Sequence, residues 1–274
     1  MEEQLSDYMR YLECEERSLT TRKQYRRDII SFFAYLGNQQ ITKEMVIQYK
    51  KKLQEEYKPV SVNAKLAALN GFFSFIGNPQ LRVKQLKIQK KPFCSREKEL
   101  SKAEYIRLVT AAEKEGDERL ALILQTICST GIRVSELQFI TAETVASGEA
   151  AICLKGKNRT ILIAGKLRKA LKCYLRRRGI TAGPVFITRS GRPMDRSHIW
   201  KMMKALCQRA GVREEKVFPH NLRHLFARCF YSIDKDIAQL ADVLGHSSIN
   251  TTRIYIASSD YEHRKRIDAL NLVI

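Results

Sequence analysis

His220-Asn-Leu-Arg223-His224 and, twenty residues on, Leu244-Gly-His246-Ser-Ser-Ile-Asn-Thr-Thr-Arg-Ile-Tyr255 are the stretch on which the reading of this chain turns. The first segment sets an imidazole and a guanidinium three residues apart, on one face of a helix. The second sets another imidazole nine residues before a phenol. Upstream, Thr130-Gly-Ile-Arg133-Val-Ser-Glu136-Leu137 places a second arginine just after a helix-ending glycine. Between these lies a strand-like segment running to Lys155-Gly-Lys157. The chain thus offers two guanidiniums, an ammonium, two imidazoles and a phenol, with no acidic cluster that would hold a metal. That set implies phosphoryl transfer to a tyrosine.

Attack on a phosphodiester builds negative charge on its non-bridging oxygens, and fixed donors aimed at that charge are usually the largest catalytic contribution. Arginine suits the task because its planar fork meets two oxygens and stays protonated. The leaving 5′-oxygen needs a proton, which a lysine at a hairpin tip can bring, an effect worth roughly 10²–10⁴ in rate. His220 and His246 can activate the nucleophile or bond the phosphate. A free phenol, with a pKa near ~10, needs such a base or a strong positive field before it attacks. The phosphotyrosyl bond conserves the energy of the broken phosphodiester, so rejoining needs no ATP. Each residue alone has a plainer reading. Tyr255 sits between Ile254 and Ile256 as a core residue would, and any one of 49 cations is a surface charge. The combination, in this order, carries the argument.

The composition points to the same partner. Forty-nine Lys and Arg against 29 Asp and Glu give +20 over 274 residues. A surplus of that size implies a polyanion, because neutralising phosphates releases counterions and drives binding. Residues 1–97 hold 18 basic and 11 acidic residues, and residues 98–274 hold 31 and 18, so both parts are basic. Two domains gripping one duplex fit this better than a globule with a basic tail. With 44% hydrophobic residues the chain can build real cores, and its length suits one large domain or two small ones. Seven cysteines form no CxxC pair. Cys128, Cys153, Cys173 and Cys229 lie in apolar runs and read as buried small hydrophobes, and the odd count implies reduced thiols in a cytoplasm. The Met-Glu-Glu start carries no signal-peptide pattern, and no apolar run approaches the ~20 residues of a membrane span.

Apolar spacing predicts four helices in the first eighty residues: one with Leu5, Tyr8, Met9 and Leu12; one opened by a Thr21–Gln24 capping box and carrying Ile29, Phe32 and Leu36; one from Thr42 to before Pro59; and one from near Ser61 to Gly77. Residues 81–98, with seven basic residues, one acid and Pro92, read as a basic linker. A Ser101–Glu104 capping box opens a second domain, and an apolar helix runs from Leu120 to Ser129. Two short strands, 150–155 and 160–163, follow, turned by Gly156-Lys157-Asn158. The rest reads as helices: 166–178, one capped by Ser197, one from near His220, one over 234–244, and a short one bearing Tyr255. Pro184-Val-Phe-Ile187 reads as an extended segment.

Taken together, the boxes quoted above resemble the tyrosine recombinase (phage integrase) family, over nearly the whole chain. The resemblance implies a mainly α fold with a small β-hairpin: a SAM-like helical core-binding domain at 1–80, the linker at 81–98, and a mixed α+β catalytic domain with a tail at 99–274. It implies Arg133 and Arg223 as phosphate-binding arginines, His220 as acid/base, His246 as a further phosphate or nucleophile contact, and Tyr255 as nucleophile. Family hairpins often read Gly-Lys-Gly-x-Lys-x-Arg. Aligning Arg159-Thr-Ile-Leu-Ile163 with the second strand puts Lys155 in the catalytic slot, ahead of Lys157, with one residue deleted in the turn. Asn221 departs from the Asp common there. Glu136 reads as a buttress, His224 as helix packing or a phosphate contact, Trp200 as a packing residue, and His198 and His263 as surface residues.

The implied activity is site-specific recombination of double-stranded DNA by a homo-tetramer, through a 3′-phosphotyrosyl intermediate and a Holliday junction, without metal or cofactor. A second recombinase or an accessory DNA-bending protein stays open. The rival readings are a type IB topoisomerase-like enzyme and a non-catalytic DNA-binding protein. Helices that begin almost at Met1 leave no room for an arm-site domain, which points to an Xer-like recombinase or a compact mobile-element integrase. The apolar tail Ala269-Leu-Asn-Leu-Val-Ile274 is expected to dock on a neighbouring protomer.

Overall fold

The computed structural model describes residues 2–88, 98–154, 157–246, 248–256 and 268, without the side chains of 153–158 and 256. Its contacts divide the chain into two compact units, Met1–Lys90 and Lys91–Ile274. Helices dominate both, and the one sheet among the described residues is a two-stranded antiparallel hairpin.

The first unit is built on α1 (Glu2–Cys14), α2 (Leu19–Leu36), α3 (Lys43–Glu56) and α4 (Pro59–Phe75). The apolar stripes meet in one core of Tyr8, Ile29, Phe32, Val46, Tyr49, Leu66, Phe72 and Phe73. Helix α2 starts earlier than its pattern suggests. Ser18, not Thr21, is the cap: its Oγ accepts from the Thr21 N–H at 3.2 Å, while the Gln24 amide turns outward to donate to Asp28 at 2.7 Å. Buried Asp28 also takes the Lys65 ammonium at 3.0 Å, bracing α2 against α4. Helix α4 begins at Pro59, where the missing N–H costs nothing.

The stretch read as a linker is in part bound to this unit. Asn70 and Asn63, two turns apart on α4, each grip one residue of the following chain with both amide atoms. Asn70 donates to the Val83 carbonyl and accepts the Val83 N–H, both at 2.9 Å. Asn63 does the same for Leu86, at 2.9 and 2.7 Å. Leu81 and Val83 are buried as a result, so residues 81–86 continue the helical unit despite their charge. Residues 89–97 lie outside the described residues.

The second unit opens with α5 (Lys102–Lys114), capped by the expected reciprocal box between Ser101 and Glu104. Next comes α6 (Glu118–Thr130), buried on nearly all sides by Leu120, Ala121, Leu122, Ile123, Leu124 and Ile127. A helix apolar all round belongs in the middle, and α5, α8, α9 and α10 pack on it. A 3-10 turn (Val134–Phe139), α7 (Ala142–Ser147) and the hairpin β1 (Glu149–Leu154) and β2 (Lys157–Leu162) follow. Leu154 pairs with Lys157, so Lys157 and Asn158 stand in the strand and not in the turn. Lys155 and Gly156 lie outside the described residues.

The remaining helices are α8 (Gly165–Arg178), α9 (Arg196–Ala210), α10 (Pro219–Asp234), α11 (Ile237–Leu244) and α12 (Ile249–Ile256). Between α8 and α9, Val185 N–H bonds to the Ile140 carbonyl at 2.9 Å, the expected extended segment. Aspartates cap two of these helices. Asp195, not Ser197, accepts the His198 N–H at 2.8 Å, and Asp236 caps α11, which leaves Asp234 as the last residue of α10. Trp200 is not in the core. The buried stripe of α9 is Ile199, Met203, Leu206 and Cys207, one residue out of phase with it, so Trp200 is 46% exposed with the Lys204 ammonium 5.4 Å from its ring. The same phase argument exposes Cys173 and Cys229, while Cys207 is buried and Cys128 half-buried. Among the described residues no helix is long and apolar enough to cross a membrane.

Candidate active site

Arg223 is the hub. It is buried, 1% exposed, and has no carboxylate partner among the described residues, an expensive placement for a guanidinium unless dipoles replace the lost water. Two helix C-termini supply them. Nη1 donates to the carbonyl of Gly131, which closes α6, at 2.5 Å, and Nη2 donates to the carbonyl of Leu244, the last residue of α11, at 2.7 Å. Each helix end presents partial negative charge to the cation. Burial first, and then the neighbouring charge of Arg133, lower its pKa to about 10, so it stays charged at neutral pH. Its Nε has no hydrogen-bond partner among the described residues.

Gly131 has to be glycine. Its φ is +64°, and a Cβ there would stand 2.4 Å from the Phe226 ring. The turn it makes delivers Arg133, whose side chain is exposed, to the start of the 3-10 turn. Buried Glu136 holds it there: the Arg133 N–H donates to Oε2 at 2.7 Å and Nη1 to Oε1 at 3.0 Å. Gly131→Ala is expected to cost roughly 1–3 kcal/mol from backbone strain alone, visible as a lower urea midpoint, and to displace both arginines. An unchanged midpoint would refute this account of the turn.

Glu136 has a second cation. Arg159, on β2, bonds to Oε2 and sends Nη1 to the Val243 carbonyl at 3.0 Å. A Cβ on Gly245, whose φ is +64°, would meet the Arg159 chain at 2.5 Å. One side chain therefore ties the hairpin to the Arg133 segment and to the end of α11. Sequence reading used Arg159 only as an alignment mark. Its signal, an arginine four residues beyond Lys155, had no partner visible along the chain.

The histidines converge on Tyr255, which is nearly buried at 7% exposure. His220 Nε2 lies 3.4 Å from the phenol oxygen. His246 Nε2 faces Arg223 Nη2 at 2.9 Å, and Nδ1 faces the Thr252 hydroxyl at 2.9 Å. Because the guanidinium can only donate, Nε2 accepts and Nδ1 carries the proton. Thr252, buried and one turn before Tyr255 on α12, was not singled out from sequence. Both His246 nitrogens are engaged within the protein, so it acts here by joining Arg223 to α12. His224, expected to serve helix packing or contact a phosphate, stacks on the Tyr255 ring with centroids 4.2 Å apart and planes at 21°. His198 is exposed, and Lys155 and His263 lie outside the described residues.

The site is a basin of positive charge, and it keeps its imidazoles neutral. Burial, then Arg223, Arg133 and Arg159, push His246 down to about 4. Burial, then His220, Arg228 and Arg223, push His224 down to about 4. His220 is open to solvent on one side, yet partial burial of its ring and then Arg223, Arg133 and Arg196 also lower it. A neutral His220 can accept a proton. The linkage sign follows. Unfolded histidines protonate near ~6.5, while His224 and His246 resist until about 4. As pH falls through that window the unfolded state takes up protons the folded state refuses, so stability drops. Calorimetry is expected to show a melting temperature that already declines between about pH 6.5 and 5, where model carboxylates remain mostly ionised. A flat profile there would contradict these shifts.

Comparison with known proteins identifies the family. The chain matches the phage integrase family over residues 98–262, and the phage integrase N-terminal SAM-like domain over residues 5–77. The chain belongs to the phage integrase family of tyrosine recombinases. Tyrosine recombinase XerA of Pyrococcus furiosus is 29% identical over 99% of this chain and 95% of its own length. Tyrosine recombinase XerD of Vibrio cholerae is 29% identical over 85% of this chain and 78% of its own. Among solved structures, the crystal structure of XerA recombinase covers 100% of this recombinase at 28% identity with a TM-score of 0.55. A lambda integrase dimer bound to a core site shares the fold at TM-score 0.74 and 18% identity, over 93% of the chain.

Proposed function

We propose that this tyrosine recombinase cuts and rejoins DNA at a specific site, with Tyr255 as its nucleophile. The observation that carries the reading is the Tyr255 oxygen 3.4 Å from a neutral His220, with the Arg223 guanidinium carbon 5.9 Å from the same ring. The Tyr255 oxygen attacks a scissile phosphate and its proton passes to His220 Nε2. Arg133 and Arg223 hold the charge that builds on the non-bridging oxygens. The P–O5′ bond breaks, and Lys155 gives the leaving oxygen its proton. The products are a 3′-phosphotyrosyl link and a free 5′-hydroxyl. Attack on that link by the 5′-hydroxyl of a partner duplex restores the phosphodiester and frees Tyr255, and a second such exchange resolves the Holliday junction.

Both basic units serve DNA binding, and four copies act on two sites. Supporting this, the solved relatives include a lambda integrase tetramer bound to a Holliday junction and XerH bound to its difH substrate. Free Cys14, Cys128, Cys173, Cys207 and Cys229 suit the reducing cytoplasm in which we place the protein.

The test is an SDS-resistant adduct assay with labelled, nicked duplex fragments of the DNA flanking the protein's own gene, extended across the source genome. A covalent adduct at one sequence, followed by strand exchange between two copies of it, is the expected result. Salt-sensitive binding with no adduct on any fragment would overturn the catalytic reading.

A further inference from the structure

We propose that His224 is a positioning residue for Tyr255: its ring is the flat wall that fixes the plane of the phenol. The inference rests on Tyr255 being the nucleophile. Among the described residues three imidazoles and one guanidinium approach the Tyr255 ring, and of these only His224 meets it face to face, at 4.2 Å and 21°. His220 meets the ring near edge-on at 5.3 Å and 64°, His246 lies tilted at 5.1 Å and 41°, and the Arg223 guanidinium carbon is 5.9 Å away. His220 also stands edge-on to His224, centroids 4.8 Å apart. The base and the phenol therefore share one reference surface.

The pattern on α10 explains how this arises. His220, Arg223, His224 and Ala227 stand at i, i+3, i+4 and i+7, one stripe of the helix. The stripe carries the base, the phosphate clamp, the stacking wall and a fully buried alanine that packs in the same small cluster as Tyr255. Helix α12 gives the nucleophile little support of its own. It spans eight residues, Ile254 beside Tyr255 is exposed, and among the described residues its side-chain hydrogen bonds to the rest of the fold are Thr252 to His246, in the loop after α11, and Tyr255 to His220.

Nothing else in the surroundings accounts for His224 as a polar group. Its ring makes no hydrogen bond among the described residues, and its ring contacts there are His220 and Tyr255. Because it is neutral at pH 7, it adds no charge to a site already rich in cations and behaves as an aromatic plate. Its value here is geometric, since a misplacement of ~1 Å in a reacting group can cost ~10²-fold in rate.

The experiment compares wild type with His224→Ala, His224→Gln and His224→Phe on the nicked fragment that gives the wild-type adduct. Single-turnover adduct formation at saturating DNA and the Kd for the same fragment are measured together. Separately, 3-fluorotyrosine placed at position 255 of the full-length protein without DNA reports the ring environment by fluorine NMR. The alanine and glutamine variants are expected to slow adduct formation by roughly 10- to 10²-fold, with Kd within about twofold, and to shift the fluorine resonance toward that of free fluorotyrosine. The phenylalanine variant is expected to keep most of the rate and the shift. An alanine variant at wild-type rate, or a phenylalanine variant no faster than glutamine, would overturn the proposal, the latter by showing that an imidazole nitrogen is needed. If wild type itself gives no adduct anywhere, the nucleophile reading fails instead, and the fluorine shift still reports whether His224 stacks on the ring.

Discussion

Tyr255→Phe is expected to form no SDS-resistant adduct with DNA, yet to bind the same fragment within about twofold of wild type. The substitution removes one oxygen and nothing else. The ring keeps its contacts with His224, His246 and Arg223, and the lost hydrogen bond to His220 is long at 3.4 Å. Stability should therefore change by no more than about 1 kcal/mol, and the melting temperature by a few degrees. Chemistry is lost outright because covalent catalysis has no substitute once its nucleophile is gone, and a fall of at least ~10⁴-fold is expected. Gel-shift binding, calorimetry and the adduct assay on one preparation check all three statements. A residual adduct on the variant would identify another side chain as the nucleophile.

Arg223→Lys loses cleavage by about 10²–10³-fold, the range seen when one preorganised donor is removed. It also destabilises the catalytic unit, which Tyr255→Phe does not. The buried guanidinium holds the Gly131 carbonyl, the Leu244 carbonyl and His246 Nε2 with three separate N–H groups. An ammonium keeps the charge but presents its donors from a single point, so it cannot bridge these acceptors and still face a phosphate. At least one buried carbonyl then goes unpaired, at about 1–3 kcal/mol. Urea denaturation and single-turnover cleavage measured side by side give the two effects. Loss of cleavage with an unchanged urea midpoint would show that Arg223 serves only the substrate.

Much of the fold was legible along the chain because helix pattern is local. The stripes of α1 and α3, the apolar run of α6 and the capping box at Ser101 each need only neighbours within one or two turns. Errors clustered where two local signals competed. Ser18 took the cap from Thr21 because Gln24 had a better acceptor in Asp28. Aspartates captured two helix starts that reading had set at Ser197 and Asp234. Trp200 was judged by its type, while its exposure was set by the phase of the stripe beside it. Charge was the weakest guide. Basic residues 82–87 read as a linker, but two asparagines on α4 hold their backbone.

What the sequence by itself determined is the inventory of chemistry: two arginines, the histidines and the tyrosine, each on an element whose period it shares, in a chain that belongs to the phage integrase family. What only the tertiary structure decided is who faces whom. Residues 131, 223 and 244 meet because two helices end against a third, and a guanidinium can be buried there because both ends present carbonyls. His224 looked like packing until α12 brought a phenol onto its face, and Arg159 looked like a register mark until Glu136 received it. Periodicity and capping act over a few residues and leave a trace in the sequence. A contact between positions a hundred residues apart is set by the path of the whole chain, and no local pattern encodes it.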